Sequence, residues 1–224
     1  MIKAVFLDID NTLLDFDAYV RESMRAGFEK FGLPSYEERM FSVFTEIDNA
    51  VWRELEQGSI TYEELLEQRF NRIFSALGIR CDGTAFEEYF RGCLFDSAIP
   101  VEGATELLRY LKAKYILCAA SNGPYEQQLN RLKKAGMIGY FDQLFISEKI
   151  GFSKPSGEFF ALCMEKLPGV VPSEVMMIGD SVSSDMAGAA AFGMKTCFFD
   201  REGKGCNLPV DHAVCRLDEI LLFL

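Results

Sequence analysis

The sequence predicts an α/β fold: a doubly wound parallel sheet interrupted by an inserted all-helical unit. Two contrasting textures carry the prediction. Short apolar runs, KAVFLDID, YILCAAS, QLFIS, EVMMIGD and KTCFFD, lack polar alternation, as strands buried on both faces of a parallel sheet do. Helical stretches lie between them, such as GATELLRYLKAK, YEQQLNRLKKAG, GEFFALCMEKL and SDMAGAAAFG, and supply the crossovers that parallel strands require. From Leu14 to about Phe95, by contrast, apolar residues recur at three- and four-residue spacing in a charge-rich background.

In chain order, KAVFLDID forms the first strand and delivers Asp8 and Asp10 at its carboxyl end. Residues 14–95 then form the insert, in four helical pieces: DAYVRESMRAGFEKFGL, YEERMFSVFTEIDNAVWRELEQG, TYEELLEQRFNRIFSALGI and TAFEEYFRGCLF. Leu65, Phe70, Ile73, Phe74 and Leu77 mark the apolar face of the third. Gly32 ahead of Pro34, Gly58 and Gly78 are expected to stop helices, and Thr61 with Glu64 spells a capping box. Residues 1–13 and 96–224 make up the α/β core. Its second strand ends in Ser121, Asn122 and Gly123. EKIGFSKP then sets Lys154 ahead of a proline expected to start a helix, and EVMMIGDSVSSD closes a later strand with Asp180 and Asp185.

Composition excludes several classes of function. With 34 acids against 23 bases, the net charge of -11 argues against nucleic acid polymers, whose binding relies on Lys and Arg neutralising phosphates. No segment reaches the roughly 18 uncharged residues of a membrane span. Lys3 and Asp8 interrupt the stretch that a signal peptide would keep apolar. The seven cysteines (Cys81, Cys93, Cys118, Cys163, Cys197, Cys206, Cys215) never form CxxC and read as free thiols in a reducing cytoplasm. The single histidine, His212, is expected at the surface or in packing, so proton transfer falls to carboxylates.

Function in a doubly wound sheet gathers at the carboxyl ends of the strands. There the sequence collects Asp8, Asp10, Asn11, Thr12, Ser121, Asn122, Lys154, Asp180 and Asp185. Asp8 and Asp10 alone would suit a turn. An EF-hand is poorly supported, because Leu13 stands where its loop needs glycine. With Asp180 at another strand end, the two are expected to converge on Mg2+, a hard cation that takes oxygen ligands and offsets their repulsion. SNGP follows a strand and opens a helix, so its backbone N–H groups and the Ser121 hydroxyl suit a phosphate. Lys154 supplies the positive charge that a phosphate among acids demands.

As a set, these residues resemble the haloacid dehalogenase (HAD) superfamily. DIDNT is similar to its DxDx[TV] first motif; Ser121, Lys154 in KP, and GDSVSSD follow in order as the second, third and fourth. The resemblance implies a Rossmann-like core carrying a helical C1 cap, here residues 14–95. It implies that Asp8 is the nucleophile, and that Asp10 protonates the leaving oxygen and then deprotonates water. Mg2+ would be held by the Asp8 side chain, the Asp10 backbone carbonyl and Asp180, with Asp185 ordering metal-bound water. Asn11, Ser121, Asn122 and Lys154 would surround the phosphoryl oxygens, and Thr12 would brace the loop. Dehalogenases of the superfamily lack an acid at the position of Asp10, since halide leaves without a proton. Glu102 and Gly157 stand where relatives often carry proline, away from the chemistry.

DNTLLDFDAYVRESM and IDNAVWRELEQGSITYEELLEQRF are similar to the nucleoside 5'-monophosphatase branch, whose members act on pyrimidine and noncanonical nucleotides. This implies a small-molecule phosphomonoester substrate, with Tyr62 and Phe16 as specificity residues; Phe44 and Trp52 are expected in the helical core. A sugar-phosphate phosphatase or β-phosphoglucomutase-like phosphotransferase is the alternative, and a non-catalytic regulator the remote one. A monomer or homodimer is expected.

Overall fold

Six parallel strands form one sheet in the order β3-β2-β1-β4-β5-β6 in the computed structural model, which describes Met1–Leu224. The strands are β1 (Ala4–Leu7), β2 (Ile116–Ser121), β3 (Gln143–Ile146), β4 (Val175–Gly179), β5 (Lys195–Phe199) and β6 (His212–Val214). The central strand β1 pairs Leu7 with Ala119 of β2 on one side and with Ile178 of β4 on the other. The chain winds outward through β2 and β3, then returns past β1 to β4. The carboxyl end of β1 is therefore the topological switch point, where open α/β sheets place their sites.

Side-chain alternation along β1 explains why its run is apolar throughout. Val5 and Leu7 pack on one face with Leu107, Leu108, Leu111 and Leu132. Ala4 and Phe6 pack on the other with Phe159, Phe160, Cys163 and Ala189. The first layer comes from α5 (Ala104–Lys112) and α6 (Tyr125–Lys134), the second from α8 (Gly157–Glu165) and α9 (Ala187–Ala191); a short α7 (Ser147–Ile150) follows β3.

Two features differ from expectation, β6 and the start of the helix after Lys154, while His212 takes the packing role expected of it. β6 has no counterpart among the expected strands: its three residues at a sheet edge, half-buried, exposed and buried in turn, are too few to carry a detectable periodicity. His212, within it, stacks flat on Phe223 with ring centroids 3.8 Å apart, a packing role. The helix after Lys154 begins at Gly157, not at Pro155, because Ser156 caps it by accepting the Phe159 N–H at 3.2 Å.

The chain divides into two compact units, Met1–Phe16 with Ala98–Leu224, and Asp17–Ser97. The helices outside the α/β core are α1 (Phe16–Lys30), α2 (Arg39–Glu56), α3 (Tyr62–Leu77) and α4 (Gly83–Asp96). Their shared interior is aromatic: Phe70 and Phe86 have centroids 4.7 Å apart, and Phe44 lies 5.6 Å from Phe90. Buried Arg69 bridges Asp48 at 2.8 Å and both carboxylate oxygens of Glu87. The capping box forms, Glu64 N–H donating to Thr61 Oγ1 and Thr61 N–H to Glu64 Oε2. Tyr62 is the first residue of α3, with its ring 6.3 Å from that of half-buried Trp52. Phe16, half-buried, opens α1. No helix is long and apolar enough to cross a membrane.

Candidate active site

The turn after β1 is built for close approach. Leu13 and Leu14 N–H both return to Ile9 O, and Asn11 sits at φ 58, a left-handed conformation that asparagine tolerates. Asn11 N–H donates to Leu14 O at 2.7 Å, so that donor is already engaged within the turn. The Asp8 N–H extends the β1–β4 pairing by donating to Ile178 O. Fully buried Thr12 brings its hydroxyl to 3.4 Å from Asp8 Oδ2.

Lys154 reaches the same place from the loop before α8. Its ammonium is 2% exposed and directs all three donors to acceptors: Asp8 Oδ1 at 2.7 Å, Asp185 Oδ1 at 2.6 Å and Ala120 O at 2.7 Å. Burial works against that charge, but Asp185 and Asp8 outweigh it and push the ammonium's pKa up, so it stays protonated. Asn122 fixes the backbone there from both sides: its Oδ1 accepts the Lys154 N–H at 2.9 Å, and its Nδ2 donates to Lys154 O at 2.8 Å. The Asn122 side chain is thus committed to Lys154.

A π-helical turn over Val182–Met186 carries Asp185 back over the end of β4, where it is fully buried and accepts the Ser181 N–H at 3.2 Å. Gly179 makes this approach possible, since a Cβ there would lie 2.1 Å from Asp185 Oδ2. Oxygens of Asp8, Asp180 and Asp185 all lie within 4.8 Å of one another. Burial pushes the Asp8 carboxyl up to about 7; Lys154 opposes the rise, and Asp185 and Asp10 add to it. Three carboxylates beside one ammonium leave surplus negative charge among hard oxygen donors. That donor set fits Mg2+, which would also hold Asp8 ionised.

Asp10 faces differently, toward α6. Its two oxygens accept from Arg131 Nη1 at 2.5 Å and Gln128 Nε2 at 2.6 Å, and Gln128 Nε2 also donates to Ser121 Oγ at 2.8 Å. The structure therefore brings Asp8, Lys154, Asp180 and Asp185 into one cluster, with Asp10 and Ser121 joined beside it. Gln128 and Arg131 were missed from the sequence. The available signal was a pair of polar residues, three apart, on the inward face of YEQQLNRLKK, where the turn before Leu132 should be apolar.

Residues 2–193 match a hydrolase family described as haloacid dehalogenase-like hydrolase. YfnB of Bacillus subtilis (strain 168), described as a HAD-hydrolase, is 30% identical over 207 residues, covering 92% of this chain and 87% of YfnB. A crystal structure of YfnB bound to magnesium matches with a TM-score of 0.89 at 28% identity, covering 99% of this chain and 97% of the other. The pyrimidine 5'-nucleotidase PynA of Streptococcus pneumoniae (strain ATCC BAA-255 / R6) is 31% identical over 199 residues, 88% of this chain and 84% of PynA. A glyceraldehyde 3-phosphate phosphatase of Methanothermobacter thermautotrophicus is 27% identical over 242 residues, covering 99% of this chain and 100% of that protein.

Proposed function

The chain belongs to the haloacid dehalogenase-like hydrolases, and from that membership we propose a Mg2+-dependent phosphomonoesterase that forms an aspartyl-phosphate on Asp8. Its proposed substrates are pyrimidine or noncanonical nucleoside 5'-monophosphates. The observation that carries the reading is the cluster at the carboxyl end of β1: Asp8, Asp180 and Asp185 within 4.8 Å, with Lys154 bonded to two of them.

In the proposed reaction an Asp8 oxygen attacks phosphorus. The bond to the leaving oxygen breaks as Asp10 gives that oxygen a proton. Water then attacks the phosphorus and its proton passes to Asp10. The Asp8–phosphorus bond breaks, releasing inorganic phosphate and restoring both side chains. Lys154 offsets charge on the phosphoryl oxygens, and Ser121 donates a hydrogen bond to them. The residues that would hold Mg2+ are Asp8 and Asp180 with the Asp10 carbonyl, Asp185 standing beside them; bound there, the cation adds positive charge where the phosphoryl group carries negative. Asp10 matters for the choice of chemistry, because only a leaving oxygen needs that proton.

Substrate selectivity is assigned to the helical unit through Tyr62, and to Phe16 where that unit begins. The likeness to PynA supports nucleotides, and the likeness to the glyceraldehyde 3-phosphate phosphatase keeps sugar phosphates as the second reading. Seven free cysteines suit a protein of the cytoplasm, and it is proposed to act as a monomer or homodimer. A Mg2+-dependent phosphate-release screen over nucleoside monophosphates, sugar phosphates and phosphoglycolate tests the proposal. Turnover confined to nucleotides supports it, turnover confined to sugar phosphates replaces the substrate, and no turnover by the folded protein refutes the enzyme.

A further inference from the structure

Helix α6 buries two polar side chains against the sheet: Gln128 is 0% exposed and Arg131 1%. Their hydrogen bonds close a ring. Arg131 Nη1 donates to Asp10 Oδ1 at 2.5 Å and to Gln128 Oε1 at 2.9 Å, while Gln128 Nε2 donates to Asp10 Oδ2 at 2.6 Å. The second Gln128 donor extends the ring to Ser121 Oγ at 2.8 Å. Gly123 leaves the space this requires, since a Cβ there would lie 2.5 Å from Gln128 Nε2.

Burying a guanidinium costs several kcal/mol of desolvation, offset only where its partners are well placed. Arg131 gains an ion pair with Asp10, whereas Lys154 serves Asp8 and Asp185. Two buried cations are thus divided between the two aspartates of DIDNT. The Ser121 oxygen accepts from Gln128 and from the Gly123 N–H at 3.1 Å, which fills both lone pairs and leaves its own proton to donate. Each Asp10 oxygen keeps a second lone-pair direction, so the ring orients the carboxylate without blocking proton transfer.

We propose that Arg131 and Gln128 are positioning residues that set the Asp10 carboxylate for proton transfer and aim the Ser121 hydroxyl at the transferring phosphoryl group. The inference rests on the phosphatase reading above. An unheld carboxylate would sample many orientations and lose most of the advantage of a placed acid, which is worth about 100-fold or more.

The test compares Arg131→Met in the wild-type and Asp10→Asn backgrounds, using a nucleoside monophosphate and p-nitrophenyl phosphate. In the wild-type background kcat on the nucleotide should fall about 100-fold with little change in KM, while the first turnover of the activated aryl ester is largely spared. In the Asp10→Asn background the same change should cost no more than about twofold, because the group it positions is already disabled. Arg131→Lys should recover part of the loss. Should Arg131→Met fail to fold, Gln128→Met carries the comparison, with a smaller loss persisting in the Asp10→Asn background because Gln128 also holds Ser121. Equal losses in both backgrounds, or a rise in KM alone, would overturn the positioning role while leaving the phosphatase intact. Absence of wild-type turnover would remove both.

Discussion

Replacing Lys154 by methionine removes one charge from the middle of the site and keeps most of the side chain's length. The native ammonium sits 2.7 Å from Asp8 Oδ1 and 2.6 Å from Asp185 Oδ1, and the carboxylate oxygens of the cluster lie within 4.8 Å of each other. Without the cation those two buried carboxylates face one another directly. Unit charges 4.8 Å apart repel by about 3.5 kcal/mol at an effective dielectric of about 20. Stripping one partner from a buried ion pair costs about 3–5 kcal/mol by mutational precedent. The two routes agree, so Lys154→Met should lose about 3–5 kcal/mol in urea unfolding followed by far-ultraviolet circular dichroism, in chelator at about pH 8. The deficit should shrink near pH 5, where a carboxyl can take up a proton in place of the lost charge. A deficit under about 1 kcal/mol at the higher pH would refute the claim that Lys154 is what holds these acids together.

Four further outcomes follow from the same geometry. The Asp8 carboxyl, raised from 3.8 to about 7, binds its proton more tightly in the folded than in the unfolded chain. Its contribution to stability is therefore present at low pH and lost as pH climbs through that interval, by about 4 kcal/mol at most. Stabilisation by Mg2+ should grow over the same range in urea titrations; a gain independent of pH contradicts this. Arg69→Met strands Asp48 and Glu87 and should cost the helical unit about 3–5 kcal/mol, read from the fluorescence of Trp52, the protein's one tryptophan. Gly179→Ala forces Asp185 aside and should lower turnover at least tenfold by about 1.4 kcal/mol or more of lost stabilisation, checked by steady-state kinetics. Burial pushes the Cys163 and Cys197 thiols up to about 12 and Cys118 higher still, so native protein should expose Cys215 first to a thiol reagent and react fully only when unfolded.

The legible parts of the molecule were those with strong local signals. KAVFLDID and EVMMIGD announce buried parallel strands because each residue faces one of two apolar layers, and the clustered carboxylates follow directly at the strand ends. The capping box at Thr61 is likewise written within four residues. What escaped depends on distant partners. Gln128 and Arg131 look like the wet face of a polar helix until Asp10, more than a hundred residues earlier, is brought beside them. The motif at Asn122 suggests a backbone N–H for phosphate but says nothing of its side chain, which is engaged with the Lys154 main chain more than thirty residues away. The π-helical turn that carries Asp185 back over the end of β4 has no period a sequence window can register.

The central claim is that Asp8 carries the phosphoryl group. Wild-type protein turning over substrate with Mg2+ can be quenched in acid, digested, and its peptides mapped for phosphate. The account predicts an acyl-phosphate on the peptide containing Asp8, and neither label nor turnover in Asp8→Asn with its fold intact. Wild-type turnover with phosphate on a different residue, or full activity in Asp8→Asn, would contradict it.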